Sequence, residues 1–222
     1  MNIKKYKTIL FDCDGVILNS NQIKTESFRK AFNKYDLKLV EEFILFHKSN
    51  GGISRYEKIK FFFKNLAPLN LNKYNDTYEN ALERFSKICK ESLLKAEVAA
   101  DLNILREFTK QTKWLIVSGG DQLELRDIFF KKGINKYFNG GIFGSPDSKD
   151  EIIKRELANG NIVKPALFIG DSKLDYQSAK SNSIDFIFLS GWTEFNEYRA
   201  FCEENKIINI KNIKSIIKFF NS

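Results

Sequence analysis

A chain of 222 residues, 43% hydrophobic and 29% charged with only 3 prolines, has the balance of an ordinary globular protein, long enough for one large domain or two modest ones. No apolar run approaches the ~20 residues of a bilayer span, and Met1–Lys7 lacks the apolar stretch of a secretory leader, so a cytoplasmic protein without membrane association is expected. The net charge of +8 comes from lysines interspersed with acids, with no long basic run, which argues against a nucleic-acid partner.

In chain order, Thr8-Ile9-Leu10-Phe11 is a short apolar run of the kind a buried strand uses, ending at Asp12. Helical spacing follows: Phe28, Ala31, Phe32 and Tyr35, then Ile59, Phe62, Phe63 and Leu66, then Tyr78, Leu82, Phe85 and Cys89. No strand is expected between about 20 and 95. Beyond that, strand and helix alternate. Trp114–Val117 precedes a helix near Asp121, where Asp121 and Glu124 have capping-box spacing. Ile142-Phe143 precedes a helix at Ser148, with Glu151 completing a second box. Ala166–Ile169 precedes a helix from about Leu174, and Phe186–Leu189 precedes another. Ile213, Ile216, Ile217 and Phe220 make a closing amphipathic helix. The pattern predicts an α/β fold, a Rossmann-like parallel sheet covered on both faces. Residues 18–95 are expected to form an inserted α-helical cap, and residues 1–17 with 96–222 the core.

In an open parallel sheet, ligands bind beyond the carboxyl ends of the strands. Asp12-Cys13-Asp14-Gly15, Ser118-Gly119-Gly120, Lys149, and Gly170-Asp171-Ser172 with Asp175 are therefore expected at one edge. Singly, each has an ordinary structural use, as a helix cap, a turn residue or a solvated lysine. Together they have a chemical meaning. Clustered carboxylates need a cation to stay ionised, and oxygen donors without His or Cys suit Mg²⁺. An aspartate there can serve as nucleophile toward phosphorus. The three cysteines are distant from one another and contain no CxxC, and His47 is the single histidine, so a disulfide framework or a zinc site is not expected.

These residues, Phe11-Asp12-Cys13-Asp14-Gly15-Val16, Ser118, Lys149 and Gly170-Asp171-Ser172-x-x-Asp175, resemble the four motifs of the haloacid dehalogenase superfamily, along the whole chain including the helical insertion. The resemblance implies a phosphatase in which Asp12 is nucleophile and Mg²⁺ ligand. Asp14 would be general acid/base and would offer Mg²⁺ its backbone carbonyl. Ser118 and Lys149 would bind the phosphoryl group, and Asp171 and Asp175 would complete the metal site. The lysine of the third motif commonly precedes a proline in close relatives; here Lys149 follows Pro146. Asn19 replaces an acid common after the first motif and is given no role.

Asn50-Gly51-Gly52-Ile53-Ser54-Arg55 resembles the Gly-x-Ser-Arg segment of beta-phosphoglucomutase-like caps. Ser54 and Glu57 have capping-box spacing, which sets Arg55 in a first helical turn, where a guanidinium suits a substrate anion. The mutases carry a histidine ten residues after the second aspartate, a place Lys24 takes here. The expected substrate is a small phosphorylated metabolite such as a sugar phosphate, and the expected state a monomer or small homo-oligomer. The alternatives are a phosphomutase of the beta-phosphoglucomutase type and a non-enzymatic anion or nucleic-acid binding protein.

Overall fold

The computed structural model describes residues 3–67 and 74–221, without the side chains of residues 220 and 221, so the apolar part expected of Phe220 lies outside the described residues. Six strands, β1 (Thr8–Phe11), β2 (Lys113–Asp121), β3 (Gly141–Ser145), β4 (Ala166–Gly170), β5 (Asp185–Leu189) and β6 (Ile208–Ile210), form one parallel sheet. Its order is β3-β2-β1-β4-β5-β6. Successive strand residues face opposite sides. Ile9, Phe11, Trp114, Ile116, Leu167 and Ile169 join the larger apolar core, whereas Leu10, Leu115, Val117 and Phe168 pack with Ile152, Ile153 and Ala179. Both faces are thus covered, as the uninterrupted apolar runs require. β6 was not expected, because three residues are too few to show a period.

Between β1 and β2 lie α1 (Asn21–Ala31), α2 (Leu37–Ser49), α3 (Arg55–Phe61) and α4 (Tyr78–Leu93), with no strand among the described residues. This helical block leaves and rejoins the core through adjoining segments. Leu18 bridges Val98, the Asn19 N–H donates to the Glu97 carbonyl at 2.9 Å, and the Ala99 N–H donates to the Ile17 carbonyl at 2.9 Å. Inside the block Phe28 stacks on Phe85 at 3.9 Å, and Phe32, Phe43 and Phe62 pack around them. The run expected as one helix through Leu66 changes geometry instead. α3 passes into a π-helical turn, Phe62–Leu66, closed by the Ala67 N–H on the Phe62 carbonyl at 3.0 Å. The wider turn leaves Phe62 buried and Phe63 and Leu66 only partly so.

After the block come α5 (Leu102–Phe108), α6 (Gln122–Lys131), α7 (Lys149–Ala158), α8 (Lys173–Ser181), α9 (Tyr198–Glu204) and α10 (Ile213–Asn221). Ser148 and Glu151 form the full capping box expected at α7. α8 begins one residue before the expected Leu174 because Ser172 is its cap, with Asp175 closing a second box. No helix among the described residues is long and apolar enough to cross a membrane.

One buried carboxylate ties the helical block together. Asp76 accepts both arms of Arg84, at 2.9 and 2.6 Å, and the Tyr35 hydroxyl at 2.7 Å, with Lys34 at 3.2 Å. Burial pushes its carboxyl up, but the hydrogen bonds from Arg84, Tyr35 and Lys34 outweigh it and hold the pKa at about 2. A depressed acid contributes stability that is present above its unfolded pKa and lost as pH falls through the folded one. Asp76→Asn is therefore expected to lower stability by about 3 kcal/mol at pH 7. The deficit should shrink as pH falls from about 4 toward 2, in urea titrations of both proteins.

Candidate active site

The register of the sheet sets the site. Phe11 lies beside Ile116 and Ile169, so Asp12, Ser118 and Asp171 each follow that line within two residues. β1 is also where the chain's progress across the sheet reverses, the crevice in which open α/β sheets place ligands.

Asp12 is buried. One carboxylate oxygen accepts the Cys13 N–H at 2.7 Å and the other meets Lys149 Nζ at 2.9 Å. Lys149 also binds Asp175, so it bridges two carboxylates from the first turn of α7. The other oxygen of Asp175 accepts the Ser172 hydroxyl at 2.6 Å and the N–H groups of Ser172 and Asp171 at 3.1 and 3.2 Å. Asp175 therefore shapes the loop after β4 while fixing Lys149. Asp171 accepts Asn21 Nδ2 at 2.6 Å, and its backbone carbonyl accepts the Thr193 hydroxyl at 2.8 Å. Gly15 lies beneath it with φ +74°, where a Cβ would fall 2.0 Å from Asp171 Oδ2. Only glycine fits both the backbone and the space.

The charges are strained by burial. Desolvation raises the Asp12 carboxyl to about 7; Lys149 opposes that, and the Asp175 and Asp14 carboxylates add to it. Burial, with Asp12 and Asp175 beside it, pushes Asp171 well above the ordinary carboxylate range. Burial would lower Lys149, but Asp12 and Asp175 hold it above the ordinary lysine range. Asp12, Asp171 and Asp175 each offer an oxygen within 4.8 Å of the others. Such a cluster has too little compensating positive charge, and its all-oxygen donor set fits a hard divalent cation such as Mg²⁺.

Asp14 stands at the cavity and pairs with Lys24, and it accepts the Ser20 hydroxyl at 2.6 Å. Burial opposes its ionisation, yet Lys24 and Ser20 hold its carboxyl below the usual range. Ser118 is fully buried, and its hydroxyl accepts the Gly120 N–H at 3.0 Å. Gly119 and Gly120, rather than Ser118 itself, line the cavity.

That cavity, about 100 Å³, lies between the sheet edge and the helical block, with Asp12, Asp14 and Asp171 on one side and Arg55, Lys58 and His47 on the other. The two parts touch closely. A Cβ on Gly119 would fall 2.1 Å from the Gly52 carbonyl oxygen. Arg55, expected to grip a substrate anion, is buried and turns its guanidinium onto Glu124 of α6, with the Nη1–Oε2 contact at 3.0 Å. Glu124 is free to do this because only half of its expected capping box forms. Asp121 accepts the Glu124 N–H at 2.8 Å, while the Glu124 carboxylate leaves the helix end for Arg55. Ser54 likewise accepts the Glu57 N–H at 3.3 Å without the reciprocal bond. Beside Arg55, the Tyr56 hydroxyl donates to Asp121 at 2.6 Å, a second tie from α3 to the core.

Asn21, Ser20, Thr193 and Lys58 were not found by the sequence. Asn21 reaches Asp171 across 150 positions, a pairing with no local signal. Lys24 was visible only as a departure from the mutase histidine.

The profile of the family described as haloacid dehalogenase-like hydrolase matches residues 9–189. A curated relative, the phosphorylated carbohydrates phosphatase of Thermotoga maritima, is 24% identical over 196 residues, covering 82% of this chain and 84% of that protein. Among solved structures, a haloacid dehalogenase-like family hydrolase from Streptococcus pneumoniae superposes with a TM-score of 0.69 at 19% identity, over 98% of this chain and 100% of that one. YfnB of Bacillus subtilis, described as a HAD-hydrolase bound to magnesium whose structure reveals interdomain movement, gives 0.65 at 17% identity, over 98% and 100%.

Proposed function

Because the chain belongs to the haloacid dehalogenase-like hydrolase family and is a phosphatase, we propose that it hydrolyses a small phosphorylated carbohydrate through an aspartyl-phosphate on Asp12. The observation that carries this reading is the buried Asp12 carboxylate at the end of β1, ion-paired to Lys149 and open to the cavity. The curated relative's name supports the carbohydrate part. The cavity volume of about 100 Å³ supports a small substrate over a macromolecule.

A carboxylate oxygen of Asp12 attacks phosphorus and the bond to the leaving oxygen breaks, while Asp14, ionised beside Lys24 in the free protein, takes up a proton as the substrate binds and passes it to the leaving oxygen. Water then attacks the phosphorus of the aspartyl-phosphate while Asp14 takes its proton, and Asp12 is released with inorganic phosphate. Lys24 and Ser20 hold the Asp14 carboxylate toward the cavity during both steps. Lys149 offsets charge on Asp12 and the phosphoryl group, while Gly119 and Gly120 line the cavity where its equatorial oxygens would lie, on a turn that the Ser118 hydroxyl fixes by accepting the Gly120 N–H. Asp12, Asp171 and the Asp14 carbonyl would hold Mg²⁺, with Asp175 fixing the loop beside them. The ion supplies positive charge to the phosphoryl oxygens when bound. The helical block, residues 18–95, acts as a cap, and the Arg55–Glu124 and Tyr56–Asp121 contacts hold it closed so that water is excluded.

A panel of phosphorylated carbohydrates assayed for phosphate release with Mg²⁺ tests the reading. Release from several members, lost in EDTA and regained with Mg²⁺, is expected. The same Mg²⁺ should raise the melting temperature, since it binds the folded cluster alone. Undiminished turnover in metal-stripped protein would overturn the metal, and no release from any member would overturn the substrate class.

A further inference from the structure

The cations of the cavity are not equally satisfied. Arg55 is paired with Glu124, Lys24 with Asp14, and Lys149, just beneath, with Asp12 and Asp175. Lys58 lines the same cavity, is 4% exposed, and has no carboxylate within 4.0 Å among the described residues. Its ammonium meets two acceptors, His47 Nδ1 at 2.8 Å and the His47 carbonyl at 3.3 Å. An ammonium carries three donors, so one remains.

A hydrogen-bonded chain fixes this arrangement. The Thr25 hydroxyl donates to Glu194 Oε2 at 2.7 Å, so its lone pair accepts from His47 Nε2 at 3.0 Å. His47 Nδ1 is then left as an acceptor for Lys58. Burial, together with the charges of Lys58 and Lys24, holds His47 well below its usual pKa, in keeping with this neutral tautomer. Glu194 does not neutralise Lys58 directly, because its carboxylate is taken by Thr25 and approached by Lys48 at 3.7 Å. Three cap helices and the loop after β5 therefore hold one buried cation without a paired carboxylate on the cap side of the cavity.

We propose that Lys58 is a specificity-determining residue that binds a carboxylate on the non-reacting end of the substrate, making the preferred substrate the phosphate ester of a sugar acid or hydroxy acid. The proposal rests on the phosphatase reading above and deepens it. One unpaired buried cation matches one negative charge, which favours a carboxylate over a second phosphate dianion. Burial and the nearby Lys24 lower the Lys58 ammonium to about 7, with Asp14 and Glu194 opposing, so a bound carboxylate would supply the missing counter-charge.

The test compares acid and alcohol partners of three lengths: 3-phosphoglycerate with glycerol 3-phosphate, 4-phosphoerythronate with erythritol 4-phosphate, and 5-phosphoribonate with ribitol 5-phosphate. Binding to Asp12→Asn protein with Mg²⁺ is measured by calorimetry, so that affinity is read without turnover. At least one acid is expected to bind about tenfold or more tightly than its alcohol, the effect of one charge-assisted contact. Adding Lys58→Met should reduce that ratio to about twofold or less, while Lys58→Arg retains a preference for the acid. Equal binding of acid and alcohol in all three pairs would overturn the proposal without any need for the Lys58 variants, as would a preference that survives Lys58→Met. Tighter binding of propane-1,3-diol bisphosphate than of every acid would overturn the carboxylate assignment. Phosphate release by the wild-type protein is read separately. Acid and alcohol hydrolysed alike would leave the phosphatase reading standing and remove the Lys58 site. Selective binding of the acids with no hydrolysis would support the Lys58 site and remove the reaction.

Discussion

Asp12→Asn is expected to abolish phosphate release while leaving the fold intact. The amide keeps the size of the carboxylate and an oxygen for the Cys13 N–H, now held at 2.7 Å, and Lys149 keeps Asp175 as a partner. What would disappear is the anionic oxygen proposed to attack phosphorus. Losing a covalent nucleophile costs about 10⁴-fold or more in kcat, far beyond the loss from removing one binding contact. Stability should not fall with activity. Burial already raises the Asp12 carboxyl to about 7, so its charge is costly in the folded protein. Steady-state phosphate release and a thermal melt on the same preparation check both halves. Turnover above about 1% of wild type, with deamidation excluded by mass spectrometry, would remove Asp12 from the nucleophile's role.

Lys149→Met should damage both stability and activity. The lysine is buried between Asp12 and Asp175, and its loss strands two carboxylates beside a third, Asp171. Removing one partner of a buried pair costs about 3–5 kcal/mol, more than the pair itself contributes, because the remaining charge is left without compensation. The carboxyl groups of Asp12 and Asp171 are already raised, and without Lys149 they rise further. An acid whose folded pKa lies above its unfolded value contributes stability that is present at low pH and lost as pH climbs through the folded pKa. In EDTA, the deficit of the variant should therefore be largest above about pH 7 and shrink toward pH 5, in urea titrations beside the wild type. Added Mg²⁺ should restore part of the stability by supplying positive charge to the same oxygens. It should not restore kcat, for which a loss of about 10²–10³-fold is expected, the scale of removing one group that stabilises transition-state charge. A variant as stable as wild type at pH 8 in EDTA would show that the ion pair is not what holds the cluster.

The sheet and most of the reacting edge were legible in the sequence for one reason. In a parallel sheet every strand delivers its next residues to the same side, so apolar runs such as Thr8–Phe11 and Ala166–Ile169 locate Asp12 and Asp171 without knowledge of packing. Local spacing likewise located the box at Ser148 and Glu151, since that contact is made within one helical turn. The same spacing at Asp121 and Glu124 was not enough, because Arg55, 69 positions away, offered the Glu124 carboxylate a better partner. The pairs that give the cavity its chemistry between cap and core are of this second kind: Arg55 with Glu124, Asn21 with Asp171, and Thr25 with Glu194. Periodicity predicts helices rather than strands between about 20 and 95, but it carries no information about how those helices lie on the sheet edge. Lys58 is an ordinary lysine in an amphipathic helix until α1, α2 and the loop after β5 close around it. Burial then turns a solvated charge into one that must find a partner, and burial is a property of the assembled fold alone.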